Sequence, residues 1–143
     1  MERSGSDGGA TAGMRGCRRA ILTAERRVVA IVEDDPSVLK AIERLLSVHG
    51  FVTEAYPSAE AFLGRAAASG ANCLVLDIQL RGVSGIELQR RLSAAGSRLP
   101  VIFMTAADTE ITRSEAIAAG CIAYLRKPFP TCQLTEAIDK VVG

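Results

Sequence analysis

The sequence predicts an α/β fold in one domain, a parallel sheet of five strands covered by helices on both faces. Two observations predict it. Short apolar, β-branched runs alternate along the chain with segments of helical period, and strand–helix–strand repetition at this spacing calls for right-handed crossovers and parallel strands. Three of the runs, around residues 28–32, 73–76 and 101–104, are continuously apolar, as strands buried on both faces are.

Val28 to Val32 is the first strand, and Glu33-Asp34-Asp35 follows at its end. Asp35-Pro36 opens a helix, because Asp suits the N-cap and Pro the first helical position. Val38, Leu39, Ile42, Leu45 and Leu46 give that helix one apolar stripe, and His49-Gly50 closes it with Gly as the C′ residue. His49, the only histidine, is read as part of this cap and not as a catalytic group. A weaker strand is expected over 51–55, then a helix from Pro57-Ser58 carrying Ala61, Phe62, Leu63 and Ala66 and ending near Ser69-Gly70.

The third strand, Cys73-Leu74-Val75-Leu76-Asp77, is an apolar run that stops at an acid. A loop over 78–83 leads to Ser84-Gly85-Ile86-Glu87, which has the spacing of a capping box, with Leu88, Leu92 and Ala95 facing the core and Arg90 and Arg91 solvated. The fourth strand, Val101 to Met104, ends at Thr105; a helix from about Asp108 or Thr109 follows and closes at Gly120. The fifth strand covers 121–125 and ends at Arg126-Lys127-Pro128, and a last helix after Pro130-Thr131 shows Leu134, Ile138, Val141 and Val142 on one side.

Composition narrows the function classes. At 143 residues, 48% apolar and 23% charged, the chain can bury a core of its own. Residues 1–27 carry six Arg and three acids, and residues 28–143 carry eleven Lys or Arg and thirteen acids, so the net charges are +3 and −2. The first segment, rich in Gly, Ser, Ala and Arg without a period, reads as a disordered basic tail, and 28–143 as the folded domain. A basic nucleic-acid footprint is absent, as is any apolar run long enough to span a membrane. The four cysteines have neither Cys-x-x-Cys spacing nor a zinc-spaced His, which suits a reducing cytoplasm; Cys73 and Cys121 read as small core hydrophobes.

In a sheet of this kind ligands bind beyond the carboxyl ends of the strands. That rule selects Asp34, Asp35, Asp77, Thr105 and Lys127. Crowded carboxylates repel one another and shift their pKa values upward unless a cation intervenes, and a hard ion such as Mg²⁺ with oxygen ligands resolves the repulsion. A carboxylate can accept a phosphoryl group, which needs mainly positioning and charge neutralisation. Lys127 supplies charge and Thr105 a hydroxyl donor. Each residue also has a plain structural reading: Asp35 an N-cap, Thr105 a strand terminus, Lys127 a surface lysine. Asp77 is harder to dismiss, since an acid ending an apolar run is costly to bury unpaired.

The motifs Val32-Glu33-Asp34-Asp35, Leu76-Asp77, Gly82-Val83-Ser84-Gly85-Ile86-Glu87-Leu88, Met104-Thr105-Ala106 and Lys127-Pro128-Phe129 together resemble those of response-regulator receiver domains of two-component phosphorelays, the type that precedes helix-turn-helix output domains. The resemblance covers Val28 to Gly143 and implies a doubly wound, flavodoxin-like sheet in the order 2-1-3-4-5. It implies that Asp77 accepts phosphate from a sensor histidine kinase, a phosphotransfer protein or a small phosphodonor, assisting the transfer without being a turnover enzyme. Asp35, Asp77 and the backbone carbonyl of Gln79 would ligate Mg²⁺, with Asp34 acting through a water. Thr105 and Lys127 would contact the phosphoryl oxygens, Tyr124 would be the switch aromatic, and the Lys127-Pro128 bond would be cis. Output would run through the fourth helix, fifth strand and fifth helix to a protein partner, with phosphorylation-dependent homodimerisation one form of it.

One residue departs from the family pattern: receivers usually carry Pro where this chain has Arg81. That change, with Gln79 and Ala107, bears on metal affinity and phosphoryl lifetime. A stand-alone receiver is the first reading. The receiver part of a DNA-binding regulator is its nearest rival. A Mg²⁺-dependent phosphohydrolase with an aspartyl-phosphate intermediate is a second alternative, disfavoured because its usual Asp-x-Asp is absent after the first strand. A receiver-like domain that is never phosphorylated is disfavoured by the filled positions.

Overall fold

The computed structural model describes residues 27–142. Its elements are β1 (Val28–Val32), α1 (Pro36–Val48), β2 (Val52–Tyr56), α2 (Ala59–Leu63), a single 3₁₀ turn (Ala66–Ala68), β3 (Cys73–Asp77), α3 (Gly85–Ala94), β4 (Val101–Thr105), α4 (Glu110–Ala118), β5 (Ala123–Arg126) and α5 (Thr131–Val142). All five strands are parallel and lie in the order β2-β1-β3-β4-β5, the 2-1-3-4-5 order that the resemblance implied.

The alternation of side chains along each strand divides the core in two. Ala30, Val32, Leu74, Leu76, Val101 and Phe103 point to the face covered by α2, α3 and α4, where Phe62, Leu88, Leu92 and Ala116 meet them. Val29, Ile31, Cys73, Val75, Ile102 and Met104 point to the other, beneath Ile42 and Leu46 of α1 and Leu134 and Ile138 of α5. Each fully buried Val, Leu, Ile, Phe or Met side chain among them contributes about 1.5–3 kcal/mol. The continuous apolar runs of β1, β3 and β4 are thus central strands, and the weaker patterns of β2 and β5 are edges. Burial pushes the Cys73 thiol up to about 12, so it behaves as a core hydrophobe.

Several boundaries differ from the sequence reading. Strand β2 runs one residue later than expected and β5 begins at Ala123 rather than Cys121. Helix α2 stops at Leu63 instead of continuing to Ser69. Gly64 costs a helix about 1 kcal/mol relative to Ala. Arg65 leaves helical geometry at φ −123°, and Ser69 is drawn away to donate a 2.7 Å hydrogen bond to Glu54. Only half of the expected capping box forms: Ser84 Oγ accepts from the Glu87 N–H at 3.1 Å, while the Glu87 carboxylate turns to Arg91 at 3.2 Å. His49 caps α1 as expected, its ring 2.9 Å from the Leu45 carbonyl.

The basic tail assigned to 1–27 lies outside the described residues except for Arg27, which belongs to the fold. Its carbonyl accepts from Val52 N–H, its guanidinium lies 4.3 Å from the Phe51 ring centroid, and it pairs with Asp139.

Candidate functional site

The sheet register builds the site. Val32 of β1 pairs with Leu76 of β3, so Glu33 and Asp77, each one residue on, stand at one level on adjacent strands. Asp77 in turn pairs with Met104, which sets Thr105 one step beyond on β4, and Lys127 follows the last residue of β5. Between β1 and β3 the winding of the chain reverses, and it is beyond the carboxyl edge at such a reversal that sheets of this kind bind ligands.

Three carboxylates meet at that edge. Oxygens of Glu33, Asp34 and Asp77 lie within 4.8 Å of one another. Lys127 Nζ spans two of them, 2.7 Å from Glu33 Oε1 and 3.2 Å from Asp77 Oδ2. Asp77 Oδ1 accepts from the Gln79 N–H at 3.1 Å, so both oxygens of this buried carboxylate are held. The Gln79 side chain reaches across to Thr105, whose hydroxyl donates to its Oε1 at 2.7 Å; the same hydroxyl accepts from the Ala107 N–H at 3.0 Å.

Asp35 is corrected. Its Oδ1 accepts from the Ser37 N–H at 2.9 Å and the Val38 N–H at 3.4 Å, and it is exposed outside the cluster. Pro36 at the first helical position commits the preceding residue to capping. The acids the fold turns inward are Glu33 and Asp34. Glu33, 2% exposed and unassigned by the sequence reading, also accepts from the Asp35 N–H at 3.1 Å through Oε2. The register is the signal that finds it. Asp34 accepts from the Arg81 N–H. Tyr124 lies on β5, half-buried, its hydroxyl donating to Asp108 Oδ1 at 2.9 Å, with Arg113 bonded to Asp108 at 2.6 Å and 5.6 Å from the Tyr124 ring centroid. The Lys127-Pro128 bond is cis.

Burial raises the Asp77 carboxyl to about 6, the Glu33 charge adds to the rise, and Lys127 opposes it. On Lys127 burial works to lower the pKa, but the hydrogen bond to Glu33 and the Asp77 charge outweigh it and raise it. The Asp77 shift carries a sign for stability. A carboxyl whose pKa is higher folded than unfolded binds its proton more tightly in the folded chain, so its contribution is complete below about pH 4 and lost as pH rises through 6. In buffer free of divalent ions, Asp77→Asn is therefore expected to be more stable than the wild type at pH 7.5, with the advantage shrinking toward pH 4. Urea unfolding midpoints at several pH values measure this, and an advantage independent of pH would contradict it.

The donor set is wholly oxygen and anionic, which fits a hard divalent cation such as Mg²⁺ and suits neither copper nor structural zinc. Among the described residues no helix is long and apolar enough to cross a membrane.

The family model for the response regulator receiver domain matches residues 29–139. The response regulator protein TodT of Pseudomonas putida is 34% identical over 111 residues, covering 78% of this chain and 49% of that protein. The crystal structure of FixJ-N superposes with a TM-score of 0.76 at 33% identity, covering 80% of this chain and 92% of that one. A response regulator receiver protein from Burkholderia phymatum superposes with a TM-score of 0.71 at 44% identity, covering 81% and 94%. The chain spans about half the length of the curated relatives it matches.

Proposed function

The chain belongs to the response regulator receiver family of two-component systems, and on that footing we propose that Asp77 is its phosphoacceptor. The observation that carries the proposal is the burial of the Asp77 carboxylate at the end of β3, beside Glu33 and Asp34 and against the Lys127 ammonium. A histidine kinase or a phosphotransfer protein is the donor class. An Asp77 oxygen forms a bond to phosphorus as the P–N bond of the donor phosphohistidine breaks, and the electron pair of that bond remains on the imidazole.

Glu33, Asp34 and Asp77 would hold Mg²⁺, which when bound offsets their repulsion and the charge on the phosphoryl oxygens. Asp34 replaces Asp35 in this set, and the Gln79 carbonyl remains the proposed backbone ligand. The remaining steps belong to the chain's own side chains. Lys127 is free to leave Asp77 for a phosphoryl oxygen while keeping Glu33. Thr105 can exchange its Gln79 acceptor for another phosphoryl oxygen, which draws the β4 terminus toward Asp77. Tyr124, two residues from Arg126, the register partner of Thr105, would follow that movement by giving up Asp108. The output surface is then α4, β5 and α5. Asp77 is consumed by the transfer, so the chain is an acceptor rather than a turnover enzyme.

Incubation with MgCl₂ and acetyl phosphate, followed by intact mass, is expected to show a gain of one phosphoryl group. No adduct with acetyl phosphate, phosphoramidate or a phosphorylated kinase would sink the proposal. A second reading, the receiver portion of a DNA-binding regulator, is favoured by the coverage of only about half of TodT and of FixJ, which is a transcriptional regulatory protein. The length of the native reading frame decides between them. Cytoplasmic placement forms part of either reading.

A further inference from the structure

We propose that Arg81 weakens the affinity of the carboxylate cluster for a divalent cation by holding Asp34 from the loop side, an inference that rests on the metal reading above. Arg81 donates its backbone N–H to Asp34 Oδ2 at 3.1 Å, and its Nε lies 3.9 Å from the same oxygen. The loop that carries it is fixed in place. Glu60 of α2 accepts from the Val83 N–H at 3.1 Å, and Gly82 at φ +76° passes so close that a Cβ there would meet Glu60 Oε2 at 2.5 Å. Loop position therefore delivers the Arg81 amide to Asp34 whatever the side chain does.

Two effects on a cation follow. The N–H occupies part of the lone-pair capacity of an oxygen that the cation would otherwise use. The guanidinium places a positive charge about 4 Å from that oxygen. Because the Arg81 side chain is 94% exposed, water and salt screen its charge, and the penalty on a divalent ion amounts to about threefold to tenfold in affinity at low ionic strength. Proline at this position would remove the N–H and the charge together. Glutamine removes the charge alone.

Adding MgCl₂ to the wild type, R81Q, R81P and R81K while following backbone amide shifts by NMR separates these effects without any phosphodonor. R81Q is expected to bind Mg²⁺ about threefold to tenfold more tightly than the wild type, R81P at least as tightly as R81Q, and R81K like the wild type. The gap between wild type and R81Q should narrow as KCl is raised, a response that a merely structural role for Arg81 would not produce. Equal dissociation constants for wild type and R81Q would overturn the role of Arg81 and leave the metal reading standing. Absence of binding in all four proteins would overturn the metal reading and this inference with it.

Discussion

In Asp77→Asn the phosphoryl adduct is expected to disappear completely while the fold persists. Asn has nearly the same shape as Asp, and its amide oxygen can still accept from the Gln79 N–H that now bonds Asp77 Oδ1 at 3.1 Å. Lys127 keeps Glu33 at 2.7 Å, so no buried charge is left alone. What is lost is the anionic oxygen, and an amide is too weak a nucleophile to replace it. Intact mass after treatment with MgCl₂ and acetyl phosphate reads the result. An adduct of unchanged yield, mapped by peptide mass to another side chain, would move the acceptor elsewhere. The same variant removes one of three mutually repelling carboxylates, so loss of phosphorylation with a raised urea midpoint distinguishes a chemical defect from a folding defect.

Strand ends and a helix cap explain what the sequence could and could not disclose about the site. Asp77 was legible because an apolar run that ends in an acid leaves few alternatives. Thr105 and Lys127 were legible because the rim of a parallel sheet is defined by where its strands end. Among Glu33, Asp34 and Asp35, the choice depends on pleat and register, which three consecutive acids do not reveal by composition. Pro36 held the information, since a residue that caps the first turn of α1 spends its carboxylate on backbone N–H groups. The proposed exchange of Asp35 for Asp34 as a metal ligand rests on that commitment.

The contacts that stayed hidden are those between distant segments. Glu60 to Val83, Arg81 to Asp34 and Thr105 to Gln79 join residues 23, 47 and 26 positions apart, and no periodicity encodes them. The fold was legible for a different reason: each central strand is apolar on both faces, and both faces are in fact filled. Errors fell at the edges, where β2 and β5 are half-exposed, and at α2, where Gly64 caps the helix and Arg65 leaves helical geometry although the apolar pattern continues.

Gly85→Ala is expected to damage stability and phosphorylation together, because the first residue of α3 rests on the backbone of the acceptor itself. A Cβ at Gly85 would lie 2.3 Å from the Asp77 carbonyl oxygen and 2.9 Å from Ile78 Cα, and neither can turn aside as a flexible side chain could. The Gly85 N–H also donates to the Ile78 carbonyl at 3.1 Å, so the helix start and the strand end are locked at contact distance. One methyl group must then push α3 off the sheet or displace residues 77 and 78, at a cost of about 1–3 kcal/mol or more. Gly96→Ala supplies the contrast. At φ +83° it meets nothing within 4 Å, so its cost is backbone strain alone, about 1 kcal/mol, and it lies away from the acid cluster. Urea unfolding with timed phosphorylation by acetyl phosphate should show Gly96→Ala mildly destabilised with a wild-type phosphorylation rate. Gly85→Ala should be lowered in both. A wild-type midpoint and rate in Gly85→Ala would mean that α3 and the end of β3 are not in contact in solution.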